Sequence, residues 1–358
     1  MEDSNKYSYY DWEKTLSYDS EVTMVLTSRG RGKTYGIRLQ AIRDAINKDF
    51  NFVEICRYKQ ELSGVMSGYF DKITSNNEFP EYTFKVENKK AYIAKKPEDP
   101  DEKIKKEQWK QIGYFVALSE QQALKKHTFS NVRRIIFDEA VMDKHDKLHH
   151  YLYREFDILT NLIDTISRQR PNEKTDCRLY LLGNSVDLLN PYFQRFGINK
   201  PPKYGYSWYN NKHFLLHYEE ANDWGKDRIK TTMVGHMVSN DESSRIMNNT
   251  FNINNDFIDS KPSSATFRFG IVYENIRYGV WFDWNKGLVY INSKIPSNTS
   301  CPIFALTLSD NKINYLMAKK SENSLKMMSD LVCQGLVRYS NIGIKESFSK
   351  VLSLFGLR

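Results

Sequence analysis

Short apolar and β-branched runs recur through the first half of the chain, each followed by a helical or turn-rich stretch. Val22-Thr-Met-Val-Leu-Thr-Ser28 is apolar without alternation and reads as a buried parallel strand. Ile37, Ala41, Ile42, Ala45 and Ile46 then recur at the spacing of one helix face, which predicts a helix over residues 35–46. Phe52–Cys56, Val132–Phe137 and Arg178–Leu182 repeat the strand signature. Tyr82, Phe84, Val86 and Tyr92 alternate as a hairpin, and the two prolines and dense mixed charge of residues 95–107 predict an exposed loop. Strands alternating with helical segments predict an α/β fold with a mainly parallel sheet.

After Pro191-Tyr-Phe-Gln-Arg-Phe196 the texture changes. Lys200-Pro-Pro-Lys-Tyr-Gly-Tyr breaks regular structure, and a polar stretch runs to about residue 255. From Ala265 onward Phe267, Phe269, Ile271 and Tyr273 alternate, and Tyr278–Phe282 and Gly287–Ile291 follow across turn residues, as in an antiparallel meander. Helical patterns over 324–335 and 345–355 close the chain. The expected organisation is one domain over 1–200, a linker over 201–240 and a smaller α/β domain over 241–358.

Composition narrows the function classes. The 358 residues are 40% hydrophobic and 14% aromatic, which is folded rather than disordered composition. No run of about 20 apolar residues exists, so no membrane span is expected, and the polar start of the chain predicts no secretory signal. The four cysteines lie far apart without a CxxC pair, which removes the common zinc and redox motifs. A net charge of +8 points toward phosphate-bearing partners.

The chemistry concentrates in three motifs. Thr27-Ser-Arg-Gly-Arg-Gly-Lys-Thr34 fits GxxxxGK[ST] except that Thr27 takes the first glycine position. It lies between a strand and a helix, the context in which backbone amides wrap phosphate oxygens. Ser28, Arg29, Gly30, Arg31, Gly32, Lys33 and Thr34 are therefore the expected ATP cradle, with Lys33 on the β- and γ-phosphates and Thr34 on Mg²⁺. Ile135-Ile-Phe-Asp138-Glu139 supplies a strand ending in two acids: Asp138 for the Mg²⁺ shell and Glu139 as general base toward water. Asn184 ends the next strand, where an amide can sense the γ-phosphate. Arg168 and Arg170 precede a proline at a helix end, and Lys125 and Lys126 stand side by side; from spacing alone all four read equally as surface cations. The separate glutamate argues against a simple kinase or GTPase, and no NKxD motif reads guanine.

With these residues in view the chain resembles the genome-packaging ATPases of small tailed bacteriophages of the phi-twenty-nine type. The shared pieces include Leu16-Ser-Tyr-Asp19, Arg29-Gly-x-Gly-Lys33, Arg57-Tyr-Lys59, Phe137-Asp-Glu139, Asp164-Thr-x-x-Arg168, Asn190-Pro-Tyr-Phe193 and Gly279-Val-Trp281, so the resemblance spans most of the chain. It implies a P-loop ATPase of the additional-strand glutamate type followed by a vestigial RNase H-like α/β domain. It implies a pentameric homo-oligomeric ring, working in the host cytoplasm at the portal vertex of a procapsid, that drives double-stranded DNA inward on ATP hydrolysis. The portal protein and, in close relatives, a structural packaging RNA are the implied partners. Arg168 matches the trans-acting arginine that completes a neighbour's site, and Lys125 matches a second trans-acting cation. Active RNase H-like nucleases gather carboxylates around two metal ions. Here Phe267–Tyr273 carries none, and Asp283 and Asp310 are the remaining acids of a rival reading, a terminase-like protein with a working nuclease. A third reading is a nucleotide-gated nucleic-acid or portal adaptor with little turnover, against which Glu139 argues.

Overall fold

The structure, a computed structural model, describes residues 9–99, 101–142, 150–167, 177–184, 190–198, 200–221, 233, 256–318 and 323–354. The chain divides into two compact units, Met1–Phe196 with Pro202–Phe251, and Gly197–Pro201 with Asn252–Arg358.

In the first unit the strands are β1 (Val22–Leu26), β2 (Asn51–Cys56), β3 (Tyr82–Glu87), β4 (Lys90–Lys95), β5 (Lys110–Ala117), β6 (Val132–Phe137), β7 (Arg178–Gly183), β8 (Gly205–Tyr209) and β9 (Phe214–Tyr218). They form one sheet in the order β3-β4-β5-β2-β6-β7-β1-β9-β8. The run from β5 to β9 is parallel, and β3-β4 and β8 are antiparallel additions at its two edges. The helices are α1 (Trp12–Ser17), α2 (Lys33–Lys48), α3 (Glu61–Ser67), α4 (Asp71–Ser75), α5 (Gln121–Leu124), α6 (Glu155–Ile166) and α7 (Pro191–Arg195). Central strands bury both faces, so β1, β2 and β6 are rich in apolar residues and the charged ones they bury, Glu54 and Arg134, are paired. Two buried ion pairs fix α2 against the sheet: Arg38 with Glu54 of β2, and Asp44 with Arg134 of β6.

The expected linker over 201–240 is corrected in its first half, because residues 205–218 are the β8–β9 hairpin and β9 pairs in parallel with β1. The prolines at 201 and 202 end just before this hairpin. Its turn is carried by Asn210, Asn211 and Lys212 at φ of 49, 52 and 67°, a left-handed run that asparagine tolerates. Residues 222–232 and 234–240 lie outside the described ones.

The second unit has strands β10 (Thr266–Tyr273), β11 (Ile276–Asp283), β12 (Leu288–Asn292), β13 (Ile303–Ala305), β14 (Leu316–Met317) and β15 (Val337–Tyr339) in the order β14-β13-β10-β11-β12-β15. The meander β10-β11-β12 is antiparallel, while β13 runs parallel to β10 and β14 parallel to β13. That is the RNase H-like arrangement, here with β15 added beside β12. Helices α8 (Asn323–Cys333) and α9 (Ile342–Leu354) supply Leu325, Met328, Phe348 and Val351 to the core, with Phe348 edge-on to Tyr278 of β11 at 5.2 Å.

Candidate active site

Three motif-bearing strands end side by side. β7 lies between β1, which feeds the glycine-rich loop, and β6, which ends in Asp138-Glu139, so β7 is the additional strand and Asn184 follows its last residue. Carboxyl ends of parallel strands are where such sheets bind ligands. Cross-strand bonds fix the exits: Thr27 N–H donates to the Gly183 carbonyl at 3.3 Å and Ala140 N–H to Leu182 at 2.8 Å.

The loop has the shape that phosphate binding requires. Gly30 and Gly32 sit at φ of 84 and 73°, where a side chain would be strained. No side chain caps α2, and its first bond back to the loop comes only from Gly36 N–H to Gly32 O at 2.8 Å. The amides at the start of the helix are thus left to an anion, with the helix dipole behind them. Inside the loop the Ser28 hydroxyl is buried and has no hydrogen-bond partner among the described residues.

Lys33 Nζ donates to Asn184 Oδ1 at 2.9 Å. Burial pulls the Lys33 ammonium below the usual lysine range, opposed by the carboxylates of Asp138 and Glu139. A desolvated cation on a neutral amide is poised for an anion, so the residues present fit a polyphosphate. Thr34 Oγ1 donates to Asp138 Oδ2 at 2.8 Å. A hydroxyl and a carboxylate converging at the loop fit the hard-oxygen shell of Mg²⁺. Glu139 is exposed and stands at φ 53°, a strained backbone for a non-glycine residue, with its N–H on Asp138 Oδ1 at 3.0 Å.

Two residues of this neighbourhood receive no role from the sequence, Arg57 standing only within a shared motif and Glu219 in none. Arg57, at the end of β2, is buried and donates to the carbonyls of Glu139 at 3.2 Å and Ala140 at 2.9 Å. It also forks onto Glu155 of α6 at 2.8 and 3.1 Å, and Tyr192 O–H donates to the same carboxylate at 2.6 Å. The Asn190-Pro-Tyr-Phe193 motif thereby gains a physical reason. Asn190 caps α7 by accepting from Phe193 N–H at 2.8 Å, proline starts the helix, and Tyr192 reaches Glu155. The second residue is Glu219, just past β9, onto which Arg31 turns its guanidinium. Arg31 was expected in the phosphate cradle; its side chain points elsewhere, which leaves the backbone for that role.

Lys125 is exposed at the end of α5, and among the described residues no hydrogen bond or ion pair joins it to the loop. Arg168 and Arg170 lie outside the described residues, beyond the C-terminal end of α6. In the second unit Asp283 accepts from Ser264 Oγ at 3.1 Å and Asn285 N–H at 3.0 Å. Asp310 accepts from Glu274 and Asn275 N–H, both at 2.8 Å, and so holds the β10–β11 turn. Both acids are engaged in turn geometry, and no metal-holding cluster occurs among the described residues. No described helix is long and apolar enough to cross a membrane.

Residues 4–353 match the family described as Podovirus DNA encapsidation protein (Gp16). The DNA packaging protein of Bacillus phage B103 is 30% identical over 330 residues, 91% of this chain and 94% of that protein. The DNA packaging protein of Bacillus phage phi29 is 29% identical over 341 residues, 94% of this chain and 95% of that protein. Among solved structures, a chain of the bacteriophage Phi-29 viral genome packaging motor assembly is similar with a TM-score of 0.72 and 26% identity, over 97% of this chain and 99% of that one.

Proposed function

The chain belongs to the podovirus DNA encapsidation protein (Gp16) family, and from that membership and the site geometry we propose that it is an ATP-hydrolysing subunit of a ring motor that moves double-stranded viral DNA into a procapsid. The observation that carries the ATP reading is the pair of contacts across the glycine-rich loop, Lys33 to Asn184 and Thr34 to Asp138, beside an exposed Glu139. ATP is the substrate. Thr34 and Asp138 would hold Mg²⁺, which supplies neutralisation of phosphate charge.

The chain's own residues divide the remaining work. The loop amides and Lys33 bind and orient the β- and γ-phosphates. Glu139 accepts the proton of the attacking water through its carboxylate, and Asn184, released from Lys33, can take a place beside the γ-phosphate. Arg168 of a neighbouring copy completes the charge stabilisation, with Lys125 as a second cation in trans. The expected partners are DNA, the portal protein and a structural packaging RNA, in a pentameric ring at the portal vertex in the host cytoplasm. The basic balance of the chain supports a phosphate-bearing track. A working second-domain nuclease finds no support in Asp283 and Asp310, whose carboxylates accept from Ser264 and Asn285 and from Glu274 and Asn275.

The test is ATP hydrolysis in the presence of DNA and procapsids for wild type, Glu139→Gln and Arg168→Ala. Both variants should lose most turnover, and mixing them should restore part of it, because mixed interfaces pair an intact glutamate with an intact arginine. Hydrolysis by Arg168→Ala at the wild-type rate would remove the trans assignment. Absence of stimulated hydrolysis by wild type would remove the motor reading.

A further inference from the structure

We propose that the segment Tyr10–Thr15 and strand β9 form a clamp around the phosphate loop, in which Arg31 and Trp12 are positioning residues that set nucleotide affinity without touching the nucleotide. The proposal rests on the ATPase reading above.

Arg31 is 7% exposed and meets Glu219 in a two-pronged pair, Nε to Oε2 at 3.0 Å and Nη2 to Oε1 at 2.7 Å. A guanidinium forked onto a carboxylate in this way has its charge compensated and its direction fixed. Glu219 is itself anchored, since its N–H donates to the Leu26 carbonyl at 2.9 Å, on the strand that feeds the loop. The pair therefore ties the middle of the loop to the strand beside its origin.

The second arm of the clamp holds loop carbonyls. Tyr10 N–H donates to Arg31 O at 2.9 Å, and Trp12 Nε1 to Lys33 O at 2.8 Å. In a trans peptide the carbonyl and the following N–H point opposite ways. Holding these two carbonyls toward Tyr10 and Trp12 turns the N–H groups of Gly32 and Thr34 to the other side, where a phosphate would lie. The segment is in turn pinned to the hairpin. Tyr10 O–H bonds His217 Nδ1 and Thr15 Oγ1, both at 2.7 Å, Thr15 bonds Tyr206 O–H at 2.8 Å, and the Tyr206 ring stacks on His217 at 3.8 Å. The fit is close: a Cβ on Gly36 would lie 2.4 Å from the Trp12 ring, so α2 carries glycine where the indole seats.

The experiment is a charge swap. Binding of a fluorescent ATP analogue and the KM for ATP are measured for wild type, Arg31→Glu, Glu219→Arg and the double variant. Each single variant should weaken binding on the order of 30-fold, the effect of truncating one partner of a buried charge pair, and more in KM than in kcat. The double variant should recover most of that loss, because the pair is rebuilt with its ends exchanged. A double variant as weak as Arg31→Glu alone would overturn the proposal, since it would mean that Arg31 meets the phosphates itself. Trp12→Phe, which keeps an aromatic ring at the position but deletes the N–H and trims the indole, should raise KM by about fivefold or more, the worth of at least one hydrogen bond. Amide hydrogen exchange of residues 28–34 without nucleotide reads the clamp independently of ATP chemistry. Exchange should speed up in both single variants and slow again in the swap, and unchanged exchange in the singles would overturn the clamp. Restored protection in the swap with no nucleotide binding by wild type would instead uphold the clamp and remove the ATPase reading.

Discussion

Replacing Arg57 by methionine should destabilise the first unit more than any exposed substitution in it. The guanidinium is 4% exposed and donates to four acceptors: two oxygens of Glu155 and the carbonyls of Glu139 and Ala140. It also lies over the Phe137 ring at 5.1 Å. Methionine keeps much of the volume but leaves the Glu155 carboxylate, whose side chain is 0% exposed, with the Tyr192 hydroxyl and the Leu152 N–H as its hydrogen-bond donors among the described residues. Removing one member of a buried pair costs about 3–5 kcal/mol. That is a large share of the ~5–15 kcal/mol by which a domain is stable. Replacing both members, Arg57→Met with Glu155→Leu, should recover about 2 kcal/mol or more of this, because no uncompensated charge remains. Recovery stays partial, since the carbonyls of Glu139 and Ala140, the Tyr192 hydroxyl and the Leu152 N–H still lack a partner. Urea unfolding of the four proteins of the cycle measures it. A single variant within about 1 kcal/mol of wild type, or strictly additive losses, would refute the assignment of Arg57 and Glu155 as a buried couple.

Two further outcomes follow from the loop's surroundings. Gly36→Ala should lose about 1–3 kcal/mol through overpacking against Trp12, and Trp12→Ala in the same chain should relieve part of that loss in thermal unfolding. Burial holds the His217 imidazole neutral down to about pH 4 in the folded chain, whereas an unfolded histidine takes up its proton near 6.5. The unfolded state therefore binds more protons between those values, and stability falls as pH drops through that window. A His217→Phe variant should show a flatter urea midpoint over the same range, and an unchanged slope would contradict the placement of the ring.

The parts of the site that were legible in the sequence are those whose chemistry is local. A glycine pair before a lysine, between an apolar strand and an amphipathic helix, specifies a tight strand–loop–helix turn without help from distant residues. Paired acids after Phe137 and the asparagine after Gly183 were readable for the same reason: strand ends are marked by the switch from apolar to polar. The β8–β9 hairpin was obscured by the prolines before it, although Phe214-Leu-Leu-His-Tyr218 behind an Asn-Asn-Lys turn carried the signal. β5 was missed because Gln111 and Gly113 interrupt its apolar run, and Gly113 is there because the Phe52 ring of the neighbouring strand fills the space of a Cβ. The direction of Arg31 could not be read locally, since its partner Glu219 lies 188 residues away. The same holds for Arg57 and Glu155, 98 residues apart, whose pairing exists only once β2, β6 and α6 have converged.

The most direct test of the central claim is Glu139→Gln, with nucleotide binding, hydrolysis and DNA packaging measured on the same preparation. The substitution leaves Lys33, Thr34, Asp138 and the loop intact, and it removes only the carboxylate that would accept the proton of water. ATP should bind as in wild type, while hydrolysis falls by about 10²–10⁴-fold, the usual contribution of a general base, and packaging stops. Hydrolysis near the wild-type rate would show that Glu139 is not the base and that the chemistry lies elsewhere in the chain.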